Sequence, residues 1–314
     1  MQTYAIGIDL GGTNLRAAAF STDGKLLRRV SGSTPVTAGP EAVISDMVHS
    51  AERLRTEFGR DGLAGIGAGV PGNIDMATGV VKGWNNVPAF NGYPTRDELS
   101  RRLGVPVHLE NDANSAALGE YWQGAGQGVN DLVMLALGTG VGGGIISGGR
   151  ILHGYVGMAA ELGHITVVPN GNPCGCGGQG CLEKHASATA IAAMGRLLGL
   201  QPVDASANAA SRELTSADVF ELAEQGDPRA QAVFQSVGQS LGIALASLIN
   251  IFNFPLYLIG GGASAAWDRF APPMLAEVER RSLTYRLTKE TTRIQRATLG
   301  ADAGLYGAAS LALR

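Results

Sequence analysis

Two stretches of this 314-residue chain pass through the same order of elements. In the first, the apolar run "YAIGID" ends in the glycine turn "LGGTN". "LRAAAF" then resumes an extended pattern, and "STDGK" supplies an Asp-Gly hairpin signal before "LLRRV". In the second, "DLVMLAL" runs into "GTGVGGG", followed by "IIS", the tight turn "GGR" and "ILHG". A strand, glycine turn, strand and hairpin that occur twice restrict the chain to a duplicated α/β core.

Helical spacing fills the intervals. Val43, Ile44, Met47, Val48, Ala51 and Leu54 predict a helix over Pro40–Phe58, closed by Gly59. "LAGIGAGV" reads as a buried strand ending at Pro71-Gly72, Thr95–Leu103 as a helix, and "GVPVHLE" as a strand entering the helix "NDANSAALGEYWQG". Further helices are expected over Ala186–Leu200, Ser216–Gln225 and Pro228–Phe252, the last with Asp227-Pro228 as N-cap and first residue. "PLYLIGGGAS" is another strand running into glycines. "DAGLYGAASLAL" carries small residues on a helical period, which suits close packing against another element. The Ala/Ser-rich Asp204–Glu213 stretch reads as a surface loop.

All three cysteines fall within eight positions, in the spacing His164-x9-Cys174-x-Cys176-x4-Cys181. Three thiols cannot all pair among themselves, and partners one residue apart are awkward for a disulfide. Soft thiolates plus an imidazole make a closed tetrahedral Cys3His set, which structural Zn²⁺ prefers. The alternative is three free thiols in a flexible loop. Glu161 and Glu183 flank the same cluster, and a metal clip would hold both carboxylates at fixed positions relative to His164. Paired carboxylates beside an imidazole accept several hydroxyls at once, which suits a polyol.

The glycine turns expose backbone N–H groups that bind anions. Gly138, Gly140 and Gly143 fit G-x-G-x-x-G, but a strand rather than a helix follows, so a dinucleotide site is disfavoured. No Walker-type loop occurs. Two such turns on hairpins, one in each repeat, suit a triphosphate. Asp9 at the end of the first strand is a candidate Mg²⁺ ligand or a simple turn former. "GGGAS" (Gly260–Ser264) is a third turn, where adenosine could approach the backbone. "LENDANS" places Asp112 between a strand end and a helix start: an N-cap, or a general base for phosphoryl transfer with Asn111 orienting the same substrate.

With "DLGGTN", "PGNID", "WNN", "ENDANSAALGE", "GTGVGGG", "ELGH", "CGCGGQGCLE", "GGG" and "DAGLYGAASLA" in this order, the sequence resembles the ROK family of sugar kinases and related repressors, within the actin-like ATPase superfamily. The resemblance implies an α/β, ribonuclease-H-like duplicated fold of two lobes with a cleft between them. A smaller N-terminal lobe would span residues 1–120 with the final helix, about 301–314, returned to it. A larger lobe over 121–300 would carry the cysteine loop.

It also implies Asp112 as the base acting on a sugar's primary hydroxyl, with Asn111, Glu161, His164 and Glu183 on ring hydroxyls and Gly72 and Asn86 lining the sugar site. His164, Cys174, Cys176 and Cys181 would be the zinc ligands. Asp9, Gly11, Gly12 and Thr13 would form the first phosphate motif; Gly138, Thr139 and Gly140 the second; Gly261 and Gly262 the adenosine motif. The expected activity is ATP- and Mg²⁺-dependent phosphorylation of a hexose at its 6-hydroxyl, glucose first. N-acetylmannosamine, fructose or another hexose is an alternative substrate, polyphosphate an alternative donor, and a non-catalytic sugar-sensing regulator an alternative role. Asp112 counts against that last role, as does the start of the first phosphate motif at Asp9, which leaves no room for a DNA-binding helix-turn-helix.

A net charge of −3, from 24 basic and 27 acidic residues, gives no broad electrostatic footprint for nucleic acid. No leader-like pattern opens the sequence, and the apolar stretch Leu241–Phe252 is too short to span a bilayer. A cytoplasmic protein without a membrane partner is expected, assembling as a homodimer or homotetramer.

Overall fold

A computed structural model describes residues 3–11, 14–33, 36–83, 87–203 and 212–314. The chain begins with β1 (Tyr4–Leu10), β2 (Asn14–Ser21), β3 (Leu26–Ser33), α1 (Pro40–Phe58), β4 (Leu63–Val70), the short hairpin β5 (Asn73–Asp75) and β6 (Val80–Lys82), α2 (Thr95–Leu103), β7 (Val107–Asn111) and α3 (Asp112–Gln123). It continues through β8 (Leu132–Leu137), β9 (Val141–Ser147), β10 (Arg150–Ile151), α4 (Glu183–Ala186), α5 (Ala188–Leu197), α6 (Ser216–Glu224) and α7 (Pro228–Phe252). The last elements are β11 (Leu256–Gly260), α8 (Trp267–Arg281), α9 (Leu283–Thr288), β12 (Arg293–Arg296) and α10 (Ala303–Leu311).

The duplication is explicit in the sheets. One has the order β3-β2-β1-β4-β7 and the other β10-β9-β8-β11-β12. In the first, β1–β2 and β2–β3 pair antiparallel while β1–β4 and β4–β7 pair parallel. The second repeats this where β9 meets β10 antiparallel and β11 joins β8 and β12 in parallel. The central strand β1 is buried at every residue, as a strand covered on both faces must be.

Two compact units emerge, residues 1–130 with 144–160 and 297–314, and residues 131–143 with 161–296. Against the lobe limits of 120 and 301 expected from the sequence, these divisions fall at 130 and 297, and residues 144–160 join the first unit.

In the first unit, α1 buries Val43, Ile44, Met47, Ala51 and Leu54 against Ile6, Ile8 and Leu15. α10 supplies the other layer, and it approaches by backbone. A Cβ on Gly67 would lie 1.9 Å from Ala308 O, and one on Gly307 would lie 1.6 Å from Ser115 O of α3. Such contacts admit no side chain, so the small residues of "DAGLYGAASLAL" are a steric requirement. Gly307→Ala should cost about 3 kcal/mol or more, because the obstacle is main chain that cannot rotate away. Gly32→Ala, with nothing within 4 Å of the added carbon, is the control. Thermal unfolding of the two variants checks this: equal melting temperatures would contradict the packing.

In the second unit, α7 starts where expected, with Asp227 Oδ1 accepting from Arg229 N at 2.8 Å and Pro228 as first residue. This helix has 25 residues and is apolar enough by length and composition to cross a membrane; two-thirds of its apolar window is buried within the fold. Burial, rather than the shortness expected of Leu241–Phe252, is what marks it as a core helix. The helix expected over Ala186–Leu200 is interrupted. Ser187 ends α4 and caps α5, accepting from Ala190 N at 3.0 Å. "GTGVGGG" is a turn only through Gly140, since β9 begins at Val141. Most of the Asp204–Glu213 loop lies outside the described residues.

Candidate functional site

The β7–α3 junction sets the surroundings of Asp112. Asn111, not Asp112, is the N-cap: its Oδ1 accepts from Ala113 N at 2.9 Å and Asn114 N at 3.1 Å, while its Nδ2 donates to Gly72 O at 3.1 Å. Asp112 is thereby the first helical residue, its carboxylate accepting from Ala113 N at 2.8 Å, and is relieved of the capping task. Burial pushes its carboxyl up to about 6, the charge of Asp9 adding in the same direction and the Ala113 N–H opposing. A carboxylate so poised takes a proton near neutral pH.

Asp9, next to last in β1, lies directly across from Arg16 in β2, and the two are ion-paired. Burial raises its carboxyl above the usual range, Arg16 pulls it back, and Asp302 pushes it up again. Gly304 of α10 lies against the carboxylate, where a Cβ would meet Cγ at 2.9 Å. Gly11 N donates to Asn14 O at 2.8 Å, closing the β1–β2 turn. Gly12, Thr13 and Asn86 lie outside the described residues, as do Trp84 and Asn85.

The remaining predicted residues gather in the second unit. A ring nitrogen of His164 and the sulfurs of Cys174, Cys176 and Cys181 lie within 4.8 Å of one another. His164 Nδ1 is 3.6 Å from Cys174 Sγ, and the Cys176 and Cys181 sulfurs are 3.7 Å apart. Both separations match the edges, about 3.6–3.8 Å, of a tetrahedron with metal–ligand bonds of ~2.0–2.3 Å, and no disulfide has that length. Burial pushes the Cys181 thiol up to about 12, whereas the Gly178 backbone N–H draws Cys176 below its usual value. Three adjacent thiolates need a cation to coexist. With Nδ1 turned to the sulfurs, His164 Nε2 faces outward, 3.9 Å from Glu161 Oε2. Glu161 and His164 therefore stand together beside the cysteine cluster.

Gly138, Thr139 and Gly140 form a tight turn closed by Gly138 N→Gly140 O at 2.9 Å. Glu183, two residues beyond Cys181, reaches this turn with Oε2 accepting from Val141 N at 3.2 Å. Gly261 backs onto the end of β8, where a Cβ would lie 2.5 Å from Leu137 O, so the turn holding Gly261 and Gly262 is next to the one starting at Gly138.

One group escaped the motif reading. Glu110 is 2% exposed; its Oε1 accepts from Asn111 N at 2.9 Å and Asn114 Nδ2 at 3.0 Å, and its Oε2 meets His153 Nε2 at 2.6 Å. This bond raises the His153 pKa and fixes the root of the Asn111–Asp112 step. The available signal was a carboxylate at the end of an otherwise buried strand, inside "LENDANS".

The chain matches the ROK family over residues 5–314. It is 40% identical to a glucokinase of Thermotoga maritima, over 98% of this chain and 96% of that one. It is 38% identical to a glucokinase of Halalkalibacterium halodurans, over 97% and 93%. Among solved structures, a ROK family glucokinase from Streptomyces griseus in complex with glucose and AMPPNP superposes with a TM-score of 0.79 at 33% identity, covering 98% of each chain.

Proposed function

Because the chain belongs to the ROK family, we propose that it is an ATP:hexose 6-phosphotransferase acting on glucose. The observation that carries the reading is Asp112, set at the first position of α3 with its cap supplied by Asn111 and its carboxyl raised to about 6. In the proposed reaction the sugar's 6-hydroxyl gives its proton to Asp112 as its oxygen attacks the γ-phosphorus in line, and ADP leaves. The transition state is loose, so positioning and charge stabilisation supply most of the rate.

Asn111, Glu161, His164 and Glu183 are assigned to the ring hydroxyls, with Gly72 and Asn86 lining the sugar. The Asp9–Thr13 and Gly138–Gly140 turns are assigned to the phosphates, and Gly261 and Gly262 to adenosine. Mg²⁺, when bound, neutralises phosphate charge; the buried, raised carboxyl of Asp9 suits that ion, which needs only one or two carboxylates besides phosphate and water. His164, Cys174, Cys176 and Cys181 are assigned to structural Zn²⁺, whose bond lengths fit the observed separations. The reading places the protein in the cytoplasm, with ATP and free thiols. It also reads the protein as a homodimer or homotetramer, to which the exposed Leu283 and Leu287, one turn apart on α9, lend support.

The test is ADP release from Mg-ATP across glucose, mannose, fructose, N-acetylglucosamine, N-acetylmannosamine and 6-deoxyglucose. Turnover highest on glucose and nil on the 6-deoxy sugar is expected. A higher rate on another hexose would keep the chemistry and move the substrate. Silence on every sugar, with polyphosphate as donor too, would overturn the kinase reading in favour of a sugar sensor.

A further inference from the structure

The Gly138–Gly140 turn is held by more than its own Gly138 N→Gly140 O bond. Gly138 O accepts from Ala188 N at 2.8 Å, and Thr139 O accepts from the Thr189 hydroxyl at 2.7 Å. A planar trans peptide points its N–H opposite to its C=O. Pinning these two carbonyls on one side therefore sends the Thr139 and Gly140 N–H groups to the other, where neither finds a protein partner among the described residues. Two adjacent unpaired amides are an anion-binding nest. The next amide, Val141 N–H, is turned away to Glu183 Oε2, and Gly140 is so close to this carboxylate that a Cβ would lie 2.4 Å from it.

All three partners, Glu183, Ala188 and Thr189, lie on the segment that leaves the cysteine cluster at Cys181. Its intervening residues are anchored: Leu182 is fully buried with its N–H on Ile165 O at 2.9 Å, and Ser187 is 2% exposed. Thr189 itself is exposed and lies at the start of α5, so its hydroxyl bond to Thr139 is its principal engagement.

We propose that Thr189 is a positioning residue for the phosphate-binding turn, and that through Glu183, Ala188 and Thr189 the affinity for the phosphoryl donor depends on the cysteine clip. This rests on the kinase reading above. The cysteine cluster then serves both substrates: it presents Glu161 and His164 to the sugar, and it orients the amides that receive the nucleotide's phosphates.

Calorimetric titration of metal-replete protein with Mg-AMPPNP and, separately, with glucose tests the proposal. Thr189→Val keeps the side-chain shape and removes the donor; Thr189→Ser keeps the donor. Thr189→Val should weaken AMPPNP binding about five- to tenfold, the worth of one hydrogen bond, with glucose affinity unchanged and Thr189→Ser close to the parent protein. Removing the metal by chelation should weaken AMPPNP as well as glucose. Parental AMPPNP affinity in Thr189→Val, or equal losses in the two variants, would overturn the positioning role. Unchanged AMPPNP affinity in chelated protein would overturn the link to the clip. If the parent protein binds glucose and AMPPNP, such failures leave the kinase reading standing; if it binds neither, both fall together.

Discussion

Asp112→Asn should leave a folded protein whose kcat is lower by about a thousandfold, within the 10²–10⁴ range for loss of a positioned general base, while glucose binds within a fewfold of the parent. The same substitution should stabilise the protein at neutral pH. Burial raises the folded-state pKa of Asp112 from 3.8 to about 6. Below pH ~4 the group is neutral in both folded and unfolded chains and costs nothing. Between pH ~4 and ~6 the unfolded chain gives up a proton that the folded protein keeps, so stability falls, by about 3 kcal/mol in full once the folded protein also carries the desolvated charge. Thermal melts at pH 4 and pH 7.5 check this: the variant should gain only at the higher pH. In the parent, kcat/KM should fall tenfold per pH unit below about 6, the limb reporting the free enzyme's base. A variant that retained turnover, or a parent whose rate stayed flat from pH 7 to 5, would remove Asp112 from the proposed role.

The second large effect concerns the cysteine clip. Cys176 is exposed, so Cys176→Ser takes almost nothing from the core and its consequences report the metal. Loss of bound metal, measured by elemental analysis, should accompany a fall of about a hundredfold in kcat/KM for glucose, because His164 belongs to the cluster with Glu161 beside it, and misplacement of about 1 Å costs that much. The rise should appear in the KM for glucose before it appears in kcat. Glucose affinity measured by calorimetry should fall in parallel, and chelated parent protein should recover it when Zn²⁺ is restored. Full sugar affinity without metal would show that the clip does not set the site.

Much of this molecule could be read before any coordinates. The repeated strand–turn–strand–hairpin order foretold two sheets of matching strand order. Local signals were sufficient there: apolar runs, an Asp-Gly turn, glycines at strand ends. α1, α2 and α7 fall on the residues their periodicity and caps require. The ligand spacing from His164 to Cys181 named the cluster that the fold gathers. Other elements left no readable local mark. α8 runs through Pro272 and Pro273, residues that ordinarily end a helix; it is held along α7, where Gly238 admits Phe270 O and the ring of Pro273. The β5–β6 hairpin has strands of three residues, too short for any periodicity to register.

The candidate site divides along the same line. Sequence alone determined which chemical groups stand near one another along the chain: Asn111 beside Asp112, three thiols and an imidazole within reach of one ion, glycine turns after buried strands. These are matters of spacing and of local hydrogen bonding, which a chain segment carries with it. Only the tertiary structure decided that Asn111 is tied to Gly72 O, that Glu110 is spent on His153, and that the carbonyls of the Gly138–Gly140 turn are bound by Ala188 and Thr189. It alone raised Asp112 toward neutrality, with Asp9 brought near from a different strand. Desolvation and the choice among competing hydrogen-bond partners depend on what surrounds a group in space, and residues a hundred positions away supply those surroundings.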